Sequence, residues 1–277
     1  MTRHYYSVRT GKKPLKLDLP MLRKLFFGIY SALEKHGYFE EAFGYACVDG
    51  GAFGSIGHDR EAYFFLQLRK ENLWPIHEVY VTYYEEDVFD IIELLFDLIS
   101  KPVDGWYHQY CDCGMHYNSF DKSEGRKDYR REINKILRDY KDGYELSANG
   151  EILHLGDKGM ESILHAEIVE YDPLNVDKQL AEAVQKFRLQ ASSVTDRKNA
   201  VRALADILEF LKPKLKGALN SKDESDLFNI ANNFAIRHHN EKQKTDYDKM
   251  IWLSWMFYFY LATIHAMIRI LKRQIKN

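Results

Sequence analysis

Only three cysteines, six prolines and 16 glycines occur among the 277 residues. Cys47, Cys111 and Cys113 make no even disulfide framework, so a reducing, cytoplasmic compartment is the simplest expectation. So little proline and glycine argues against a low-complexity or disordered chain. Charge of one sign is not in excess either. The 39 basic and 41 acidic residues leave a formal net charge of −2, which gives no overall pull toward nucleic acid. Any RNA contact must then use a local patch. Arg3, Arg9, Lys12 and Lys13 precede no apolar run, so the start does not read as a signal peptide.

Long uncharged runs are scarce as well, with one exception. Met250 to Ile268 contains no Asp, Glu, Lys or Arg and is long enough to cross a bilayer. It also contains Ser254, Thr263 and His265, and much of its bulk is Trp and Tyr, which favour membrane interfaces over hydrocarbon. A core helix, apolar on most sides because it is buried on most sides, is the expected reading; no membrane is expected. What the chain does have is rings: 19 Tyr, 16 Phe and 4 Trp, enough for a sizeable core or a core plus a subunit interface.

The first half reads as mixed α/β. Asp18 caps a predicted helix with Pro20 in its first turn, running to about His36 and stopping at Gly37. Val48 to Gly57 is glycine-rich but lacks the residue order of a phosphate-binding loop, and no strand clearly precedes it. Glu78 to Tyr84 alternates like a strand. A helix follows from Glu85 to Ile99, with acids at its positive end. Another helix is expected from Asp121 to Tyr140. Asn149-Gly150 between alternating segments predicts a β-hairpin, and Leu164 to Val169 is a further candidate strand.

Composition shifts near Asp172-Pro173. Beyond it the pattern predicts four helical blocks, about 175–191, 196–219, 222–238 and 246–274, with Pro213 a possible kink in the second and Ser221 with Glu224 resembling a capping box. Four helices of this length suit an antiparallel bundle. The expected fold is α+β and mainly helical: a mixed α/β domain with a β-hairpin over 1–170, of no assigned role, followed by a helical bundle over 171–277.

Three groups of residues carry chemistry. Arg237-His238-His239-Asn240 falls where the third block runs out. Arginine forks onto phosphate oxygens and histidine exchanges a proton near neutral pH. His238 continues the apolar face of Leu227, Ile230, Ala231 and Phe234, so packing is its competing role. His108-Gln109-Tyr110-Cys111-Asp112-Cys113-Gly114-Met115-His116 holds four possible zinc ligands within nine residues. Structural zinc sites use a wider, paired spacing, so reduced thiols among aromatic rings are the expectation and no metal is assigned, although folding brings Cys47 into reach in principle. Finally, Arg126, Lys127, Arg130, Arg131, Lys135 and Arg138 interleave with Glu124, Asp128, Glu132 and Asp139. A solvated face laced by Asp128–Arg131 and Glu132–Lys135 pairs is expected there.

A helical bundle with an Arg-His corner before its last helix resembles the HEPN superfamily, and the whole layout is similar to prokaryotic abortive-infection proteins of phage defence. Arg237-His238 matches the first two places of that family's motif. The closing histidine is absent; Lys242 and Gln243 stand where it would fall, and His239 comes too early. His265 lies too far along the last helix to replace it, whereas Asp246, Tyr247 and Asp248 are closer. The resemblance implies metal-independent RNA cleavage at a composite site on a two-fold homodimer, without a cofactor. His238 or His239 would be base or acid, Arg237 would steady phosphoryl charge, and Asn240 would assist. It also implies an antitoxin or trigger protein as partner. The alternatives are a non-catalytic dimerisation or ligand-binding module and a zinc-stabilised scaffold around Cys111 and Cys113.

Overall fold

A computed structural model describes residues 6–11, 15–157, 159–164, 166, 169–189, 193–215 and 248–276. The chain divides into two units, Met1–Ile152 and Leu153–Asn277, a boundary ahead of the composition shift near Asp172. The fold is α+β and mainly helical, with three two-stranded ladders among the described residues.

The first unit begins with a single turn, α1 (Tyr6–Arg9), and then α2 (Leu19–Lys35). Asp18 accepts from the Met21 amide at 3.0 Å, satisfying a donor the helix cannot. Gly37 adopts φ +77°, and the Tyr38 amide returns to the Leu33 carbonyl at 3.1 Å, which ends the helix. Leu22, Phe26 and Tyr30 form its buried stripe. A turn of helix, α3 (Glu40–Phe43), leads into the ladder of β1 (Gly44–Tyr45) and β2 (Ala52–Phe53). α4 (Arg60–Leu68) follows.

Glu78 to Tyr84 is not a strand. It forms α5 (Ile76–Val79) and a 3-10 turn over Tyr80–Thr82. Ile76 and Tyr83 are buried, Tyr80 stacks on Phe27 of α2 at 4.2 Å, and the Tyr83 hydroxyl donates to the Leu73 carbonyl at 2.6 Å. Rings spaced three and four apart satisfy a helical turn as well as they mimic alternation.

α6 (Glu85–Leu98) is the centre of this unit, with eight buried apolar residues from Val88 to Leu98. The Tyr84 amide donates to Asp87 at its start. The chain then makes an antiparallel hairpin, β3 (Lys101–His108) and β4 (Gly114–Asp121), which the sequence did not announce. α7 (Lys122–Leu137) starts where Asp121 accepts from the Glu124 amide at 3.0 Å and packs Tyr129, Ile133 and Leu137 against α6, the Tyr129 hydroxyl donating to the Ile92 carbonyl at 3.2 Å. The expected hairpin is present: β5 (Tyr144–Leu146) pairs with β6 (Ile152–His154) around Gly150, whose φ is +90°.

In the second unit, Glu161–Leu164 is a helical turn, α8, so the strand expected from Leu164 does not begin there. A π-turn over Pro173–Asp177 leads into α9 (Lys178–Arg188). Ser193 and Asp196 form a reciprocal cap on α10 (Val194–Leu211). Its α-helical geometry stops just before Pro213 and gives way to a 3-10 turn over Lys212–Leu215, as a missing amide requires. The third block, 222–238, with Ser221 and Glu224, lies outside the described residues. α11 (Lys249–Lys276) is the single described helix long and apolar enough to cross a membrane, and 61% of that apolar window is buried inside the protein. Its buried residues include Met256, Phe257, Tyr258, Tyr260, Leu261 and Ile264, which share a core with Leu180 and Phe187 of α9 and Leu204 and Leu208 of α10. Phe187 stacks on Phe257 at 3.8 Å, nearly parallel.

Candidate metal centre

A thiol, Cys47, stands immediately before the glycine-rich segment Val48 to Gly57. Gly44 pairs with Phe53, and Tyr45 with Ala52. A Cβ added at Gly44 would lie 2.0 Å from the Ala52 carbonyl oxygen, and one at Gly51 would lie 2.4 Å from that of Tyr45. These glycines permit two backbone segments to touch, and the tight turn between them begins at Cys47, whose carbonyl accepts from the Gly50 amide at 3.1 Å.

The β3–β4 hairpin supplies the rest. His108 ends β3, Cys113 precedes β4 and His116 sits within β4 opposite Trp106. The turn over Tyr110–Asp112 includes Cys111 at φ +52°, and Cys111 is exposed. The compact nine-residue ligand set is therefore not what assembles. Cys47, His108, Cys113 and His116 each offer one ligand atom, and these four atoms lie within 4.8 Å of one another. Cys47 Sγ is 3.3 Å from His108 Nδ1, and Cys113 Sγ is 3.3 Å from His116 Nε2.

Surrounding groups fix these four. His108 Nε2 lies 3.1 Å from Asp49 Oδ2. Tyr45 stacks on His116 at 4.3 Å, and Trp106 lies 4.9 Å from His116 and 5.2 Å from His108. His116 is buried, and its Nδ1 has no hydrogen-bond partner. The Val48 amide bonds the Cys113 thiol and pulls its pKa down, but burial, the Cys47 thiol and the Asp49 carboxylate outweigh it and raise the thiol above its ordinary value. Two thiols and two imidazoles converging in this way are a donor set for a borderline-soft divalent ion.

The other groups resolve differently. The basic face of α7 is engaged. Arg126 pairs with Asp97 at 2.9 Å and lies over the Phe96 ring, Arg131 reaches Asp128 at 2.7 Å, Lys135 reaches Glu132 at 2.5 Å, and Arg130 donates to the Leu146 carbonyl. That is the expected salt-laced face. Burial raises the Asp128 carboxyl, but Lys101, Tyr38 and Arg131 outweigh this and hold it below the usual carboxylate range. His265 is buried on α11, where burial first and Arg269 second lower its pKa. Asp248 accepts from the Met250 and Ile251 amides and so caps α11. Arg237, His238, His239 and Asn240 lie outside the described residues, as do Lys242, Gln243, Asp246 and Tyr247.

No family model matches the chain, and no curated protein or solved structure is significantly similar to it.

Proposed function

We propose that this chain is a HEPN-type, metal-independent endoribonuclease acting as a toxin-like effector in prokaryotic phage defence. What carries the reading is the Arg237-His238-His239-Asn240 sequence placed shortly before α11, in a unit whose described long helices share one apolar core. The antiparallel four-helix bundle expected from the sequence, with α9, α10 and α11 as three of its helices, is part of this reading. His238 or His239 takes the proton of a ribose 2′-hydroxyl, whose oxygen attacks the adjacent phosphorus and expels the 5′-oxygen. Arg237 balances the charge that grows on the phosphoryl oxygens, and Asn240 positions the phosphate. A second copy across a two-fold axis completes the site with its own imidazole and guanidinium. The protein works in the cytoplasm, held in check by an antitoxin or set off by a trigger protein.

The test is purified chain incubated with total RNA in excess chelator. Wild type cleaves; Arg237→Ala and His238→Ala do not, while melting at the wild-type temperature. Cleavage that persists in both variants removes these residues from the site.

A second reading, a non-catalytic dimerisation module, draws on the exposed start of α11, where Ile251, Trp252 and Trp255 face solvent and Trp255 stacks on Phe259 at 5.5 Å. A dimer in sedimentation with no RNA cleavage would favour it.

A further inference from the structure

We propose that Cys47, His108, Cys113 and His116 bind one Zn2+ in a closed, structural site that holds the first unit's β-rich corner together. The site is independent of the ribonuclease reading and stands or falls without it.

Donor chemistry gives the ion. Two thiolates and two neutral imidazoles suit a d10 divalent ion with no geometric demand beyond four ligands. Geometry agrees. Zn–S and Zn–N bonds of about 2.3 and 2.0–2.1 Å set ligand–ligand edges of about 3.3–3.8 Å in a tetrahedron. Two sulfur–nitrogen edges are already 3.3 Å, and all four atoms fall within 4.8 Å. Small side-chain rotations bring the remaining edges in.

The surroundings are those of a metal site. Asp49 on His108 Nε2 leaves His108 Nδ1 with its lone pair toward Cys47, the carboxylate–histidine–metal arrangement that fixes a ligand's tautomer. The Val48 amide donates to Cys113 Sγ and fixes its position. Tyr45 and Trp106 wall off His116 from water.

Cys47, His108 and Asp49 alone would also describe a thiol nucleophile with its base and orienting acid. Cys113 and His116 decide against that. They bring a second thiol and a buried imidazole to the same point, filling the space a substrate would need, and four protein ligands leave no open coordination position. The site is structural and not catalytic for the same reason.

The corner needs such a tie. β1 and β2 are two residues each, and Val48, Phe53 and Trp106 are substantially exposed. So short a ladder with so little apolar burial is not stable alone. The ion links the β1–β2 segment to the β3–β4 hairpin between residues 61 positions apart, where closing a long loop costs chain entropy.

The full-length chain, purified under reducing conditions from zinc-supplemented cells, is tested by metal analysis. One zinc per chain is expected. Exchange into Co2+ should give the intense visible bands and thiolate charge-transfer absorption of tetrahedral cobalt. Cys111→Ser should keep the metal and the cobalt spectrum; Cys113→Ser and His116→Gln should lose both. Because ligand variants can unfold, the wild-type cobalt spectrum and the Cys111→Ser control carry the decision. Zinc-free wild type with no cobalt spectrum overturns the site. Loss of metal in Cys111→Ser overturns its ligand set. A wild-type protein that is metal-free but whose Cys47 alone is rapidly alkylated assigns the pair to a nucleophile instead.

Discussion

His108 stands between Cys47 and Asp49, with Nδ1 3.3 Å from the thiol and Nε2 3.1 Å from the carboxylate. A carboxylate oxygen only accepts, so a neutral His108 between these two groups carries its proton on Nε2 and turns the Nδ1 lone pair toward the thiol. Asp49 is itself largely exposed, and its function is to aim His108. Asp49→Ala should therefore weaken zinc retention by about 10–100-fold, as removal of an outer-shell partner does, with little change in global melting. Competition against a chromophoric chelator measures this; unchanged affinity would remove Asp49 from the site.

The glycines after β1 provide a second, backbone-level check. At Gly44 a methyl group would collide with the Ala52 carbonyl oxygen, and its φ of +74° disfavours any side chain. Gly44→Ala should open the β1–β2 ladder, move Cys47 and lower metal content. Gly28, on the exposed side of α2 with nothing within 4 Å of an added Cβ, is the contrast. Gly28→Ala should stabilise by about 0.5–1 kcal/mol through helix propensity, read as a higher urea midpoint with metal content unchanged.

Asp128 is buried beneath Lys101, Tyr38 and Arg131, whose bonds at 3.0, 2.9 and 2.7 Å keep it ionised. Its folded pKa is depressed, so its contribution is present above the unfolded value near 3.9 and lost as pH falls through the folded value. Asp128→Asn should cost about 1–3 kcal/mol at neutral pH. The gap between variant and wild type should begin to narrow below about pH 4 and shrink further as pH falls toward the folded value. Chemical denaturation across pH 3–7 measures it; a gap independent of pH would mean that packing, not charge, is the contribution.

In the second unit the Phe187–Phe257 stack joins α9 to α11 at the middle of the core. Phe187→Ala should cost about 3–5 kcal/mol, measured as a lowered unfolding midpoint. Leu174→Ala, at a residue 82% exposed, should cost nothing measurable.

Helices were legible in the sequence wherever a cap and an apolar stripe agreed. Asp18 with Gly37 framed α2, the acids from Glu85 opened α6, Asp121 started α7, and Asn149-Gly150 marked a turn. The β3–β4 hairpin was not legible because Pro102, Asp104 and Gly105 interrupt its alternation, and its register shifts at those residues. Glu78 to Tyr84 misled because its rings fit both periods. The metal site was half visible. His108, Cys113 and His116 were within view, but Cys111 stood among them as a decoy. The fourth ligand comes from Cys47, across a separation that no local spacing rule spans. What gives Cys47 away is the pair of close backbone approaches at Gly44 and Gly51, which are contacts of the folded chain and carry no sequence signature.

The reaction proposed for Arg237 and His238 would leave a chemical record on its product. Attack by the 2′-hydroxyl must produce fragments ending in a 2′,3′-cyclic phosphate, or the 3′-phosphate derived from it, with a 5′-hydroxyl on the other side. Mass spectrometry of a defined RNA oligonucleotide treated with the purified chain in excess chelator reads those ends directly. Cyclic-phosphate and 5′-hydroxyl termini, absent with Arg237→Ala, are the expected result; 5′-phosphate with 3′-hydroxyl termini, or an intact oligonucleotide, would contradict it.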